Sequence, residues 1–156
     1  MTFEQLSNDA KVWVYVSKTK INADQKMLIK ELSKPFLQNW ISHGEQVNGL
    51  INVIEDCFLL ISAEVTNESM CGRAVDANVR FVKDLENKTG LILLDRMTVA
   101  YRTKDEQVNV SSFTNVKSQI KEQNSLEFKS IFNPLVTTKR EFINSFEEPY
   151  ETSWIT

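Results

Sequence analysis

The residues best placed to do chemistry lie where Glu68-Ser69-Met70-Cys71-Gly72-Arg73-Ala74-Val75-Asp76 turns from a polar loop into an amphipathic run reaching Leu85. A helix start carries unpaired backbone N–H groups and the positive end of the helix dipole. Ser69, Gly72 and Arg73 there form a candidate site for a small anion, phosphate or carboxylate. Gly72 would let a ligand approach the backbone, and Arg73 could meet it with two parallel hydrogen bonds. The plainer reading has Ser69 or Asp76 capping the helix and Arg73 in a surface ion pair. A second grouping is nucleophilic, with Cys71 or Cys57 as thiol, His43 as the one available base, and Asp76 as the orienting group. Against it, Cys57 opens an apolar run like a small core residue, and His43 beside Gly44 suits a partner of a helix-end carbonyl. Thirdly, Asp95-Arg96 interrupts strand-like sequence. Arg96 there could meet a ligand at a sheet end, or the pair could form a bulge or internal salt bridge.

These residues need a frame, and composition allows one. A chain of 156 residues with 42% hydrophobic and 25% charged residues buries an ordinary core without disulfides or metal. Its net charge of −3 argues against a nucleic-acid binder. Lysines from Lys11 to Lys34 load the first quarter, and Glu141, Glu147, Glu148 and Glu151 load the end, as solvated faces. Basic residues flank Trp13 and Tyr15, a pattern that single-strand binding uses and that a half-buried strand explains equally well. Two cysteines outside any C-x-x-C pair and one histidine make neither a disulfide framework nor a zinc site, so no cofactor is implied. Free thiols fit a reducing, cytoplasmic setting. The first residues lack a signal-peptide pattern, and no apolar run approaches the ~18 residues of a membrane span.

Along the chain, Val12 to Val16 reads as a strand with both faces covered. A helix starts near Asn22, with Gln25 completing a capping box. Pro35 is expected to break that helix near Ser33-Lys34, and Gly44 to cap its end. Val47 to Ile54 and Cys57 to Val65 form an antiparallel hairpin, the second being the central strand. Thr66 to Ser69 is a loop. The next helix directs Val75, Val79, Val82, Phe81 and Leu85 inward and stops near Gly90. Leu91 to Leu94 and Thr98 to Arg102 are strand-like, and the second turns back through Val108 to Val110. Ser112 caps a helix containing Phe113, Val116 and Ile120, and Phe128 to Phe132 adds an edge strand. Thr137 or Thr138 starts a last helix that halts before Pro149, and Trp154 folds back as a clasp. The pattern predicts one α+β domain over residues 1–156, its largely antiparallel or mixed sheet packed by three to four helices.

Five motifs then occur in order. They are Trp40-x-x-His43-Gly44, Gly72-x-x-Val75-Asp76-x-x-Val79, Asp95-Arg96 before Val99-x-Tyr101-Arg102, Phe132-Asn133-x-Leu135-Val136-x-Thr138, and Pro149-x-x-x-Ser153-Trp154. Together they resemble a family of small Bacteroidota proteins without established activity, often labelled "ABC transporter ATPase", over roughly residues 36–155. The family's helix start reads Ser-Gly-Cys-Ser-Ile-Asp, so the resemblance puts Arg73 where the family has cysteine and Cys71 where it has serine. The label fails on chemistry. A phosphate-binding P-loop needs G-x-x-x-x-G-K-[S/T], and the glycines at that spacing, Gly44 and Gly49, precede Leu50-Ile51. The resulting expectation is a non-enzymatic cytoplasmic interaction module, self-associating or bound to another protein. The alternative is a small enzyme or small-anion binder using Arg73, His43, Asp76 and Arg96.

Overall fold

The computed structural model describes residues 1–64, 70–122 and 127–156. Strand β1 (Lys11–Val16) leads into helix α1 (Ala23–Asn39) and the short pair β2 (Ile41–Ser42) and β3 (Glu45–Gln46). Next come β4 (Gly49–Ile54), β5 (Phe58–Ala63) and helix α2 (Gly72–Thr89). Strands β6 (Thr98–Thr103) and β7 (Val108–Ser112) precede α3 (Phe113–Lys121). Strand β8 (Phe128–Phe132), α4 (Lys139–Ser145) and β9 (Glu147–Pro149) complete the strands and α-helices of the described residues. The strands form three antiparallel sheets with orders β1-β5-β4, β2-β3 and β7-β6-β8-β9. The fold is α+β, with one expected sheet resolved into three.

Alternation along β1 explains the layering. Trp13 and Tyr15 face α1 and α2, beside Leu59, Ile61 and the buried Trp40, Phe81, Val82 and Leu85. Val12, Val14 and Val16 face the second sheet, meeting Phe58, Leu60, Phe132 and Phe146. Beyond that sheet, Val99 and Ile131 pack on Val116 of α3 and on Ile155. Helices, sheet, sheet and helix thus stack in sequence. β5, buried along its whole length, supplies both inner cores.

Several local expectations are corrected. Helix α1 runs through Pro35 without a break. Proline there costs about 3 kcal/mol, and the packing of Leu32, Phe36 and Leu37 on the first core offsets it. Phe36 stacks on Phe81 at 4.3 Å, and the buried Ser33 hydroxyl donates to Ile29 O. Gly44 does not cap α1. With His43 it makes the two-residue β2–β3 turn, both at positive φ (52° and 77°). On α2 the buried face is Ala74, Asn78, Phe81, Val82 and Leu85, and Val79 is exposed. Leu91 to Leu94 is not a strand, because the Glu86 carboxylate takes the Leu93 and Leu94 N–H groups at 2.8 and 3.1 Å. β8 is internal rather than an edge, since β9 folds back alongside it. The expected loop at residues 66–69 lies outside the described residues.

Other expectations hold. The Asn22/Gln25 capping box, the left-handed Gly90 at the end of α2 and the Ser112 and Thr138 caps are all present. Trp154 closes over the second sheet, its indole N–H donating to Phe132 O at 2.9 Å. Lys139 ties down the N-terminal segment, its buried ammonium donating to the carbonyls of Leu6 and Glu4.

Candidate functional site

The mouth of α2 is assembled from two segments. The β2–β3 turn brings Ser42 and His43 against Cys71, which occupies the N-cap position of α2. Ser42 Oγ accepts from the Cys71 backbone N–H at 3.0 Å. The Cys71 thiol lies beside the His43 backbone N–H and the Ser42 hydroxyl, and it makes no capping hydrogen bond to the helix, whose Ala74 N–H donates to Cys71 O at 3.0 Å. These neighbours, foremost the His43 backbone N–H, bring its pKa down from 9.0 to about 7.

This geometry reshapes the anion site. The Ala74 and Val75 N–H groups of the first turn both donate to Cys71 O, at 3.0 and 3.2 Å. Gly72 and Arg73 are exposed, and a Cβ on Gly72 would meet nothing within 4 Å. Open space is therefore available there, without a close backbone approach that requires glycine. Asp76 is exposed further along the helix and does not cap it. Ser69 lies outside the described residues. Of the nucleophilic grouping, the structure brings together Cys71 and His43. Cys57 is buried at the β4–β5 turn, where burial, with Glu55 nearby, pushes its thiol up to about 12.

Arg96 belongs to another locality. Its charge acts on Tyr15, whose hydroxyl donates to Asn78 Oδ1 at 2.9 Å. Burial outweighs that charge and raises the Tyr15 phenol to about 12. Asn78 stands seven residues beyond Cys71, or ~10 Å along a helix axis. Neighbouring Asp95 accepts from the Met97 N–H at 2.9 Å and pairs with Lys18 at 3.6 Å. Asp95 thus sits in a turn rather than a bulge, and its ion pair with Lys18 lies at the surface rather than inside.

Two features had no signal in the sequence. A cleft of about 610 Å³ opens between the end of β1, the β4–β5 turn and the β6–β7 turn, lined by Lys20, Glu55, Asp56, Tyr101, Glu106 and Asn109. Its acids are engaged within the protein, Asp56 by Lys26 and Lys20, Glu55 by Arg102, and Glu106 by Lys129. Beside it Arg102 grips Glu147 with Nε at 2.8 Å and Nη2 at 3.2 Å, and Ser130 donates to the same carboxylate. Burial pushes the Glu147 carboxyl up, but these hydrogen bonds hold it below its ordinary value. The partners are 45 residues apart, so spacing could not reveal them. The cradle at Cys71 did leave a trace, since a Ser-His-Gly turn and a cysteine directly before a helix are both visible in sequence.

No family model matches this chain, and neither a curated protein nor a solved structure is similar to it. No helix among the described residues is long and apolar enough to cross a membrane.

Proposed function

We propose that this chain is a non-enzymatic cytoplasmic interaction module that meets another protein through its first sheet. The observation that carries this reading is β4, an outer strand of Gly49-Leu50-Ile51-Asn52-Val53-Ile54 without a charged side chain. Such a strand offers backbone hydrogen bonds and apolar side chains to a further strand. The spread of the candidate side chains agrees, with Cys71 and His43 at the helix mouth and Arg96 beside Tyr15. Free Cys57 and Cys71 support a reducing compartment.

Native mass spectrometry tests this. The reading expects polypeptide-only species. A stoichiometric small-molecule adduct on the purified chain, lost on Arg73→Ala or Arg96→Ala, would contradict it.

One observation favours a second reading, thiol chemistry on a small electrophile at the α2 mouth. It is the lowered pKa of Cys71 beside His43. Loss of an identified turnover in Cys71→Ser would be its signature.

A further inference from the structure

The register of the first sheet determines which backbone groups of β4 face outward. The Glu64 N–H donates to Asn48 O at 2.9 Å. Alternation along an antiparallel pair then points Leu50, Asn52 and Ile54 at β5, and Gly49, Ile51 and Val53 away from it. β4 ends the order β1-β5-β4. The outward N–H and C=O groups of Gly49, Ile51 and Val53 therefore meet no protein partner among the described residues.

Outer strands are normally blunted by charge, proline, bulges or a covering segment. β9 carries Glu147, Glu148 and Pro149. β1 is covered where its Val12 N–H donates to Thr137 O at 3.0 Å. β7 is uncharged as well but more polar, alternating its valines with Asn109 and Ser111 and ending on Ser112. Among the described residues β4 has no charge, proline, bulge or covering segment, and Asn52 is its one polar side chain.

We propose that β4 is a self-association edge, on which two copies pair antiparallel about a two-fold axis at Ile51. Their three-stranded sheets join there into one continuous antiparallel sheet. This rests on the interaction reading above and narrows it to one partner. The occupant is a second copy because the edge complements itself. Gly49 falls opposite Val53 of the partner subunit and Ile51 opposite Ile51 of the partner subunit. Every outward N–H then meets an outward C=O, as an isologous contact requires. Leu50 falls opposite Asn52 of the partner subunit, so no charge is forced against another. Each chain carries −3, and a neutral edge lets two such chains approach at least electrostatic cost.

Asn52 is exposed, so it can be replaced without disturbing the core, and in this register the two Asn52 side chains lie diagonally across the axis. Sedimentation or light scattering of the whole chain over a concentration series should show the mass rising from one chain to two. Asn52→Lys and Asn52→Glu should each weaken the association by about tenfold or more, through like-charge repulsion. An equimolar mixture of the two variants should recover it, while Asn109→Lys on β7 should leave it unchanged. A wild type that stays one chain at every concentration overturns the proposal, as does a dimer indifferent to Asn52 or a mixture that fails to re-form. Such results leave the broader module reading standing, because that reading falls on the separate appearance of a bound small molecule.

Discussion

β4 and β9 hold equivalent places, each ending the order of a sheet, and they are built in opposite ways. β9 is three residues long, carries two glutamates and a proline, and spends its charge inward. Glu147 receives Arg102 and Ser130, and Glu148 accepts the Trp154 N–H at 3.1 Å. β4 is six residues long and uncharged. One edge is closed by its own side chains, and the other is uncovered among the described residues. The two thiols show the same lesson at smaller scale. Cys57, in a packed turn, is pushed up to about 12, whereas Cys71, at a helix mouth, is brought down to about 7. Residue type alone decides neither case; what surrounds the polar atoms does.

The largest expected effect comes from Phe58, which joins the two regions. It is 0% exposed and meets Phe132 at 4.8 Å and Phe146 at 4.9 Å. Phe58→Ala should cost about 3–5 kcal/mol of stability in urea unfolding, through lost burial and the cavity left behind. A cost below that of a surface substitution would mean the sheets do not pack as described. Next is Gly49→Ala, whose added Cβ would lie 2.8 Å from the buried Trp40 ring. It should destabilise by about 1–3 kcal/mol. Gly72→Ala, with open space around it, should be neutral or slightly stabilising in the same assay. Equal effects would remove the close approach of β4 to the helix layer.

Closing β9 should be worth less. Glu147→Gln is expected to cost about 1 kcal/mol, because the partly exposed pair with Arg102 is screened by solvent. The sign with pH follows from the lowered folded-state pKa of Glu147. Its contribution is full above the ordinary glutamate value of about 4.3 and is lost as pH falls through the lowered folded value. The variant should therefore lose that part of the acid dependence, and an unchanged stability–pH profile would count against the pairing. The smallest effect on the fold is reserved for the thiols. Alkylation of the native chain should modify Cys71 with a half-maximal rate near pH 7, and leave Cys57 unmodified until unfolding. Equal reactivity of the two would erase the contrast between them.

Much of the frame was legible in the sequence because its causes are local. The Asn22/Gln25 box, the Ser112 and Thr138 caps, the left-handed Gly90 and the apolar run of β5 each follow from a few neighbouring residues. The departures have non-local causes. Pro35 stays helical because Phe36 stacks on Phe81, 45 positions away along the chain. Leu91 to Leu94 is kept out of a sheet by a carboxylate on the preceding helix. β8 becomes internal because residues after α4 return to it. The candidate site divides in the same way. A helix opening near Cys71 could be read from sequence, while Ser42, which accepts the Cys71 N–H, and His43 arrive from a turn nearly thirty residues earlier. The outward edge of β4 depends on strand order, which periodicity does not specify.

The most direct measurement is residue-resolved amide hydrogen exchange of the native chain at low and high concentration. An open β4 edge predicts fast exchange at Gly49, Ile51 and Val53 and slow exchange at Leu50, Asn52 and Ile54 in dilute solution. The first three should become protected as concentration rises. Protection of Gly49, Ile51 and Val53 already present in dilute, single-chain protein would contradict it, because the edge would then be covered within the molecule itself.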